Sequence, residues 1–251
     1  MLSRRTFLGA GVGAAALVSA RIPVALADLY GPAPGLAKLN ANENPYGPSP
    51  AALKAMAEAS AQGAFYVGES VDRLTARIAE RFALAAENIT LGAGSSGPLA
   101  NLARAKARSG KILGPDLFWD TTTRLALRQG GELLRTPKTA DLSVDLDALY
   151  AAITPEVSMV QICNPNNPTG MLIEGEALKA FCRKASQKCT VLVDEAYNEL
   201  SDDPEANSVA GLINEGYDVV VARTFSKVYG LAGMRVGYLL ALPETTELLQ
   251  S

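Results

Sequence analysis

The chain has 251 residues, 48% of them hydrophobic and 20% charged, with a formal net charge of −3 and no histidine. This is globular composition, long enough for one large α/β domain or two small ones, and it carries no basic surplus that would make nucleic acid a partner. The missing histidine excludes Ser-His-Asp and Cys-His nucleophile systems and His-based metal sites, so acid–base work falls to Lys, Tyr, Asp, Glu or Cys and no metal site is expected.

The N-terminus reads as an address. Arg4 and Arg5 in "SRRTFLG" precede a Gly- and Ala-rich apolar run that is short for a membrane span, and "ALA" at 25–27 fits a small-x-small cleavage pattern. The arginine pair resembles a twin-arginine export signal. Cleavage before Asp28 removes Arg4, Arg5 and Arg21 and takes the formal charge from −3 to −6. The mature protein is therefore expected in the periplasm, soluble and off the membrane.

Residues 28–48 follow as an N-terminal arm, and 49–251 read as one domain. "NANENPYGPSP" is turn chemistry that opens a helix near Ser49, with Ala51–Ala59 as its body, and an amphipathic helix follows over Val71–Phe82. Strands are expected near Ile89–Leu91, Lys111–Leu113, Glu132–Arg135, Ser158–Ile162, Thr190–Val193, Val219–Ala222 and Val236–Leu240. Helices are expected near Leu99–Ala107, Thr121–Arg128, Leu146–Ala151, Glu176–Lys184 and Ser208–Glu215. Short apolar strands alternating with helices give a three-layer α/β/α domain around a mostly parallel, seven-stranded sheet. In such sheets ligands bind beyond the carboxyl ends of the strands.

The motifs lie at those ends. "LGAGSSG" (91–97) leaves a strand and opens a helix, where small residues let backbone N–H groups approach an anion. "ICNPNNPTG" (162–170), taken alone, is a strong turn. "VLVDEAYNEL" (191–200) ends a strand on Asp194, and a carboxylate there commonly caps a helix. "TFSKVYGLAGMRVGY" (224–238) puts Lys227 between hydroxyls and an arginine eight positions on. Taken together, Lys227, Asp194, Tyr197 and Asn167 with an anion cradle suit pyridoxal 5′-phosphate. A lysine amine condenses with its aldehyde, a carboxylate keeps its ring nitrogen protonated, and a phenol and an amide bond its ring oxygen.

The order "NNPTG", "DEAY", "TFSK…R" resembles the class I/II pyridoxal-phosphate aminotransferases of fold type I, and "LNANENPYGP" is most similar to their histidinol-phosphate branch. The resemblance runs from Leu39 to Tyr238 and implies the large, cofactor-binding domain of that fold. It implies Lys227 as Schiff-base lysine and proton shuttle, Asp194 at the pyridine nitrogen, and Tyr197 and Asn167 at the ring hydroxyl. Thr224, Ser226 and Arg235 would hold the phosphate, with Ser95 and Ser96 of the glycine-rich turn. Trp119, the chain's one tryptophan, takes the place of the stacking aromatic in preference to Phe118. Tyr66 matches the tyrosine that reaches the phosphate of the neighbouring subunit, which implies a homodimer, although Val67 stands where the family has proline. The loop 40–47 would lie over the substrate.

The implied reaction moves an amino group between an amino acid or amino-alcohol phosphate and a 2-oxo acid. Decarboxylases and carbon–sulfur lyases share the constellation. Family members continue past the strand that carries Arg235 into a smaller C-terminal domain, whereas this sequence stops at Ser251, so a cofactor-binding remnant without turnover is the competing expectation. Cys163, Cys182 and Cys189 form no C-x-x-C motif and read as buried thiols, with a Cys182–Cys189 bridge as the alternative in an oxidising compartment.

Overall fold

The computed structural model describes residues 37–250; the expected export signal and residues 28–36 of the arm lie outside them. By contact density the chain divides at Asn42. Residues 37–42 of the first unit carry no regular structure, with a bend at Asn40–Ala41. Among the described residues the second unit, from Glu43 onward, carries the regular structure.

Seven strands form one sheet: β1 Ile89–Ala93, β2 Lys111–Pro115, β3 Leu133–Thr136, β4 Val157–Cys163, β5 Thr190–Asp194, β6 Val219–Thr224 and β7 Val236–Leu240. Their order is β1-β7-β6-β5-β4-β2-β3. All neighbours pair parallel except β7, which is antiparallel to both β1 and β6. The central strands β5 and β6 are buried along their whole length, which is why "TVLVD" and "VVVART" read as near-continuous apolar runs.

Alternation along the strands sends successive side chains to two cores. On one face, Val191, Val193, Val219 and Val221 pack with Ile78 and Ala79 of α2 (Gly68–Phe82) and with Leu178, Phe181 and Cys182 of α6 (Gly175–Ala185). On the other, Leu192, Val220, Ala222 and Leu239 pack with Leu99, Leu102 and Ala103 of α3 (Ser96–Ala107).

Local chemistry sets the helix ends. Ser49 caps α1 (Pro50–Ala59) by accepting from Ala52 N at 3.2 Å, with Pro50 in the first turn. Asp145 caps α5 (Leu146–Ala151), and Glu174 caps α6 through the N–H groups of Glu176 and Ala177.

Two expected helices are corrected and one is added. The segment Thr121–Arg128 is not one helix: a 3₁₀ turn at Asp120–Thr122 precedes a short α4, Arg124–Arg128. The helix expected over Ser208–Glu215 shrinks to α7, Gly211–Asn214, because the Ser208 hydroxyl and the Val209 N–H are bonded to Glu195. A helix the sequence reading did not identify, α8 (Pro243–Gln250), follows β7. All three cysteines are buried and free, so Cys182 and Cys189 are not bridged. Among the described residues no helix is long and apolar enough to cross a membrane.

Candidate cofactor site at the carboxyl edge of the sheet

The segments after β1, β2, β4, β5 and β6 all leave the sheet at one edge, and β7 starts there because it runs the other way. Arg235 therefore lies beside residues that follow strands, although it precedes one. Its backbone is left-handed, at φ 55°. The guanidinium turns back over the chain: Nη1 donates to Ser226 Oγ at 3.3 Å and to the Ala232 carbonyl at 3.1 Å. Thr224 Oγ1 and Ser226 Oγ are 2.9 Å apart, and the Ser226 N–H donates to Thr224 Oγ1 at 3.1 Å.

Glycines let the β1–α3 turn join this cluster. Gly94 has φ +77°, and a Cβ there would stand 2.9 Å from Arg235 Cζ, with Nη2 closer still. At Gly237 a Cβ would stand 2.7 Å from the Gly94 carbonyl carbon, so β7 passes directly under the turn. Ser95 takes the N-cap position of α3 without a side-chain capping bond, and Ser96 opens the helix. Two hydroxyls, a guanidinium and the N-terminus of a 12-residue helix thus converge, which is the donor set for a phosphate dianion.

Asp194 ends β5 at 4% exposure. Burial pushes its carboxyl up to about 6; the Ala196 N–H, donating at 3.1 Å, and the Lys227 ammonium pull it down, and Glu195 adds to the rise. Asn167 Nδ2 donates to Tyr197 Oη at 3.4 Å, which brings the turn after β4 to the loop after β5. Lys227 Nζ lies 5.3 Å from the centre of the Tyr197 ring. Lys227, Asp194, Tyr197 and Asn167 are therefore neighbours, as are Thr224, Ser226 and Arg235.

A phosphate-bearing pyridine aldehyde fits this arrangement on three counts. The cradle at Gly94 is one a side chain would fill, the buried Asp194 carboxylate near Lys227 can face a ring nitrogen, and an amide and a phenol stand together for a ring oxygen. The family comparison decides the assignment. The profile of "Aminotransferase class I and II" matches residues 34–251.

The chain belongs to this family. It is similar to an aromatic amino acid aminotransferase from Thermobifida fusca, 37% identical over 220 residues, covering 87% of this chain and 61% of the relative. It is also similar to histidinol-phosphate aminotransferase 1 from Cupriavidus pinatubonensis, 37% identical over 215 residues, covering 86% and 57%. The fold superposes on a histidinol-phosphate aminotransferase from Sinorhizobium meliloti solved with pyridoxal-5′-phosphate, with TM-score 0.76 and 32% identity over 84% of this chain and 57% of that one. The chain spans about 60% of the length of these relatives. The seven-stranded sheet with its helices is the large domain of fold type I.

Against that family pattern, the remaining expected residues divide. Trp119 is half-buried and packs toward the core that holds α3, while Phe118 is buried with its ring where a Cβ of Gly114 would be. Tyr66 is fully exposed and joins nothing in its own chain's cluster.

Several supporting residues were not identified from sequence. Asn164 is fully buried and clamps Ile173 in both directions, and Asn166 Nδ2 donates to the Leu117 carbonyl at 2.9 Å; these two hold the turn from which Asn167 projects. Asn44 Nδ2 donates to the Val228 carbonyl at 2.8 Å, so the Asn44–Gly47 turn rests on the lysine loop. An asparagine before Pro-Tyr-Gly is the local signal, but it names the turn and not its partner.

Proposed function

We propose that this chain is the cofactor-binding domain of a pyridoxal-phosphate-dependent transaminase. The observation that carries the reading is the meeting, at one sheet edge, of Lys227, a buried Asp194, the Asn167–Tyr197 pair and the Thr224–Ser226–Arg235 cluster. Pyridoxal phosphate, when bound, supplies an aldehyde and an electron-withdrawing ring. The chain's own groups do the rest. Arg235, Ser226, Thr224 and the α3 N-terminus with Ser95 and Ser96 hold the phosphate. The Asp194 carboxylate holds a proton on the ring nitrogen. Asn167 and Tyr197 fix the ring hydroxyl, and Trp119 covers the ring face. Lys227 Nζ, beside the Tyr197 ring, would hold the aldehyde carbon and, once released from it, would be the base that takes and returns the substrate's α-proton.

The substrate class proposed is an amino acid or amino-alcohol phosphate as donor, with a 2-oxo acid as acceptor; the relatives named for aromatic amino acids and for histidinol phosphate both support it. We further propose a homodimer in which a second copy receives Tyr66. Tyr66, Phe65, Val67 and Tyr46 are all exposed and α1 buries none of its residues, an uncovered apolar surface next to the site-forming arm. A periplasmic location, from the Arg4–Arg5 signal, completes the proposal.

The test is cofactor capture. Protein mixed with pyridoxal phosphate should gain a visible absorption band that borohydride abolishes, with the added mass on the Lys227 peptide. Lys227→Ala should show neither. A folded wild-type protein that captures nothing would refute the cofactor reading. A captured cofactor that no amino donor of a panel converts to its amine form would refute transamination by this chain.

A further inference from the structure

Directly behind the site, on the opposite face of the sheet, lies a buried ion network. Asp194 lies two residues beyond Leu192, and Thr224 two and four beyond Ala222 and Val220, so both face the core of α3; Glu195 and Arg223 are their sequence neighbours and face the core of α2 and α6. Arg223 Nη2 lies 2.5 Å from Glu195 Oε2, and Nη1 lies 2.9 Å from Glu199 Oε1. Arg223 is 3% exposed and Glu195 0%. Ser208 Oγ bridges the two, accepting from Arg223 at 3.1 Å and donating to Glu195 at 2.9 Å, and the Val209 N–H donates to Glu195 at 2.8 Å.

This network is not tuned for stability alone. Arg223 Nε is buried without a hydrogen-bond partner, and a buried ion cluster is often no more stabilising than an apolar one of the same volume. Its placement has another consequence. Glu195 follows Asp194, and its N–H extends the β5–β6 ladder to the Ala222 carbonyl at 2.9 Å. A slip of one residue would carry Glu195 to the cofactor face and Asp194 away from it. Glu199 ties the turn after Tyr197 to the same guanidinium, and Arg223 precedes Thr224.

We propose that Arg223, Glu195 and Glu199 are positioning residues for the cofactor site: they lock the β5–β6 register, select Asp194 over Glu195 as the carboxylate facing the cofactor, and hold the Tyr197 loop against the Thr224–Lys227 loop. The proposal rests on the pyridoxal-phosphate reading above. Arg223 cannot be replaced by lysine in this role, because an ammonium does not fork to two carboxylates and a hydroxyl in fixed directions.

The test separates positioning from stability. The variant Glu195→Gln, Glu199→Gln, Arg223→Met removes the ions with groups of similar size while leaving an amide oxygen for the Val209 N–H, and Arg223→Lys keeps the charge but not the fork. For each, thermal unfolding and amide exchange over 194–200 and 224–228 are measured without cofactor, and pyridoxal phosphate affinity by titration. The expected result is a triple variant that melts near the wild-type temperature, exchanges faster in both segments, and binds about tenfold more weakly, the scale of one charge-assisted hydrogen bond mis-set. Arg223→Lys should loosen the same two segments and weaken binding at least as much. Wild-type exchange and affinity in either folded variant would overturn the proposal, as would an affinity loss that follows melting temperature alone with no local change in exchange. Wild-type protein that takes up no pyridoxal phosphate would refute the functional reading only, since exchange is read without it.

Discussion

Replacing Asp194 by asparagine should make the cofactor-free protein more stable at neutral pH while removing its chemistry. The carboxyl is fully enclosed, and burial moves it from 3.8 to about 6. The sign follows from proton counting. Between pH 4 and 6 the unfolded chain has lost the Asp194 proton and the folded one retains it, so stability falls as pH rises through this window. By pH 7 the ionised carboxylate costs the fold about 3 kcal/mol, from about 1.4 kcal/mol per pH unit. Asparagine keeps an oxygen for the Ala196 N–H, which now donates at 3.1 Å, and never ionises. Asp194→Asn should therefore unfold at higher urea than wild type at pH 7.5, match it near pH 4, and lack the wild-type decline in between. Lost attraction to the Lys227 ammonium trims the gain without reversing it, since burial is the larger effect. The assay is urea denaturation of cofactor-free protein at half-unit pH steps. Equal pH dependence in the two proteins would refute the argument that the site stores an unfavourable charge for the ring nitrogen to neutralise.

Other substitutions probe the cradle and its supports. Gly94→Ala forces a side chain into left-handed backbone and onto the Arg235 guanidinium; because that group is a flexible tip, the fold should lose only about 1–2 kcal/mol, but pyridoxal phosphate affinity should drop roughly tenfold, read by titration and thermal melting together. Gly230→Ala, at φ +69° against the backbone of Gly47 and Pro48, should undock the Asn44–Gly47 turn and raise amide exchange there before global stability falls. Leu102→Ala should cost about 2–5 kcal/mol in urea unfolding, since its fully buried side chain joins α3 to the sheet. Burial raises all three thiols, Cys189 to about 11, so a thiol reagent should label none in the native protein and all three in urea.

The legible part of the fold is the part whose signal is local. The central strands β4, β5 and β6 announced themselves because a central strand buries both faces, and "VLVD" or "VVVA" admits few other readings. Helices capped by their own sequence neighbours, such as Ser49 before Pro50, were equally plain. The helix expected over Ser208–Glu215 failed for a non-local reason. Its first turn is taken by a carboxylate 13 residues upstream in sequence, Glu195, which claims Ser208 and Val209 before a helix can. Lone periodicity could not reveal that claim, and the same absence of local signal hid Glu195 itself, which in "VLVDEAY" resembles a solvated charge.

The site follows the same division. Residue types at strand ends named Lys227, Asp194, Tyr197 and Asn167, because each chemistry required of a phosphate-bearing aldehyde limits the side chains that can serve it, and the family resemblance implied Thr224, Ser226 and Arg235 for the phosphate. What spacing could not supply is why Arg235 belongs with them. It precedes its strand, and in an all-parallel sheet the start of a strand lies at the far edge from the ends of the others, roughly 17 Å away for a five-residue strand. The antiparallel pairing of β7 with β1 and β6 removes that distance. One reversed strand brings the guanidinium to the hydroxyls of Thr224 and Ser226, and the glycines at 94 and 237 let the β1–α3 turn close over it. The anion cradle is thus a product of topology, and it should survive exchange of side chains in β7's interior that keep the strand paired, but not substitution of Gly237, where a Cβ would meet the backbone of the turn.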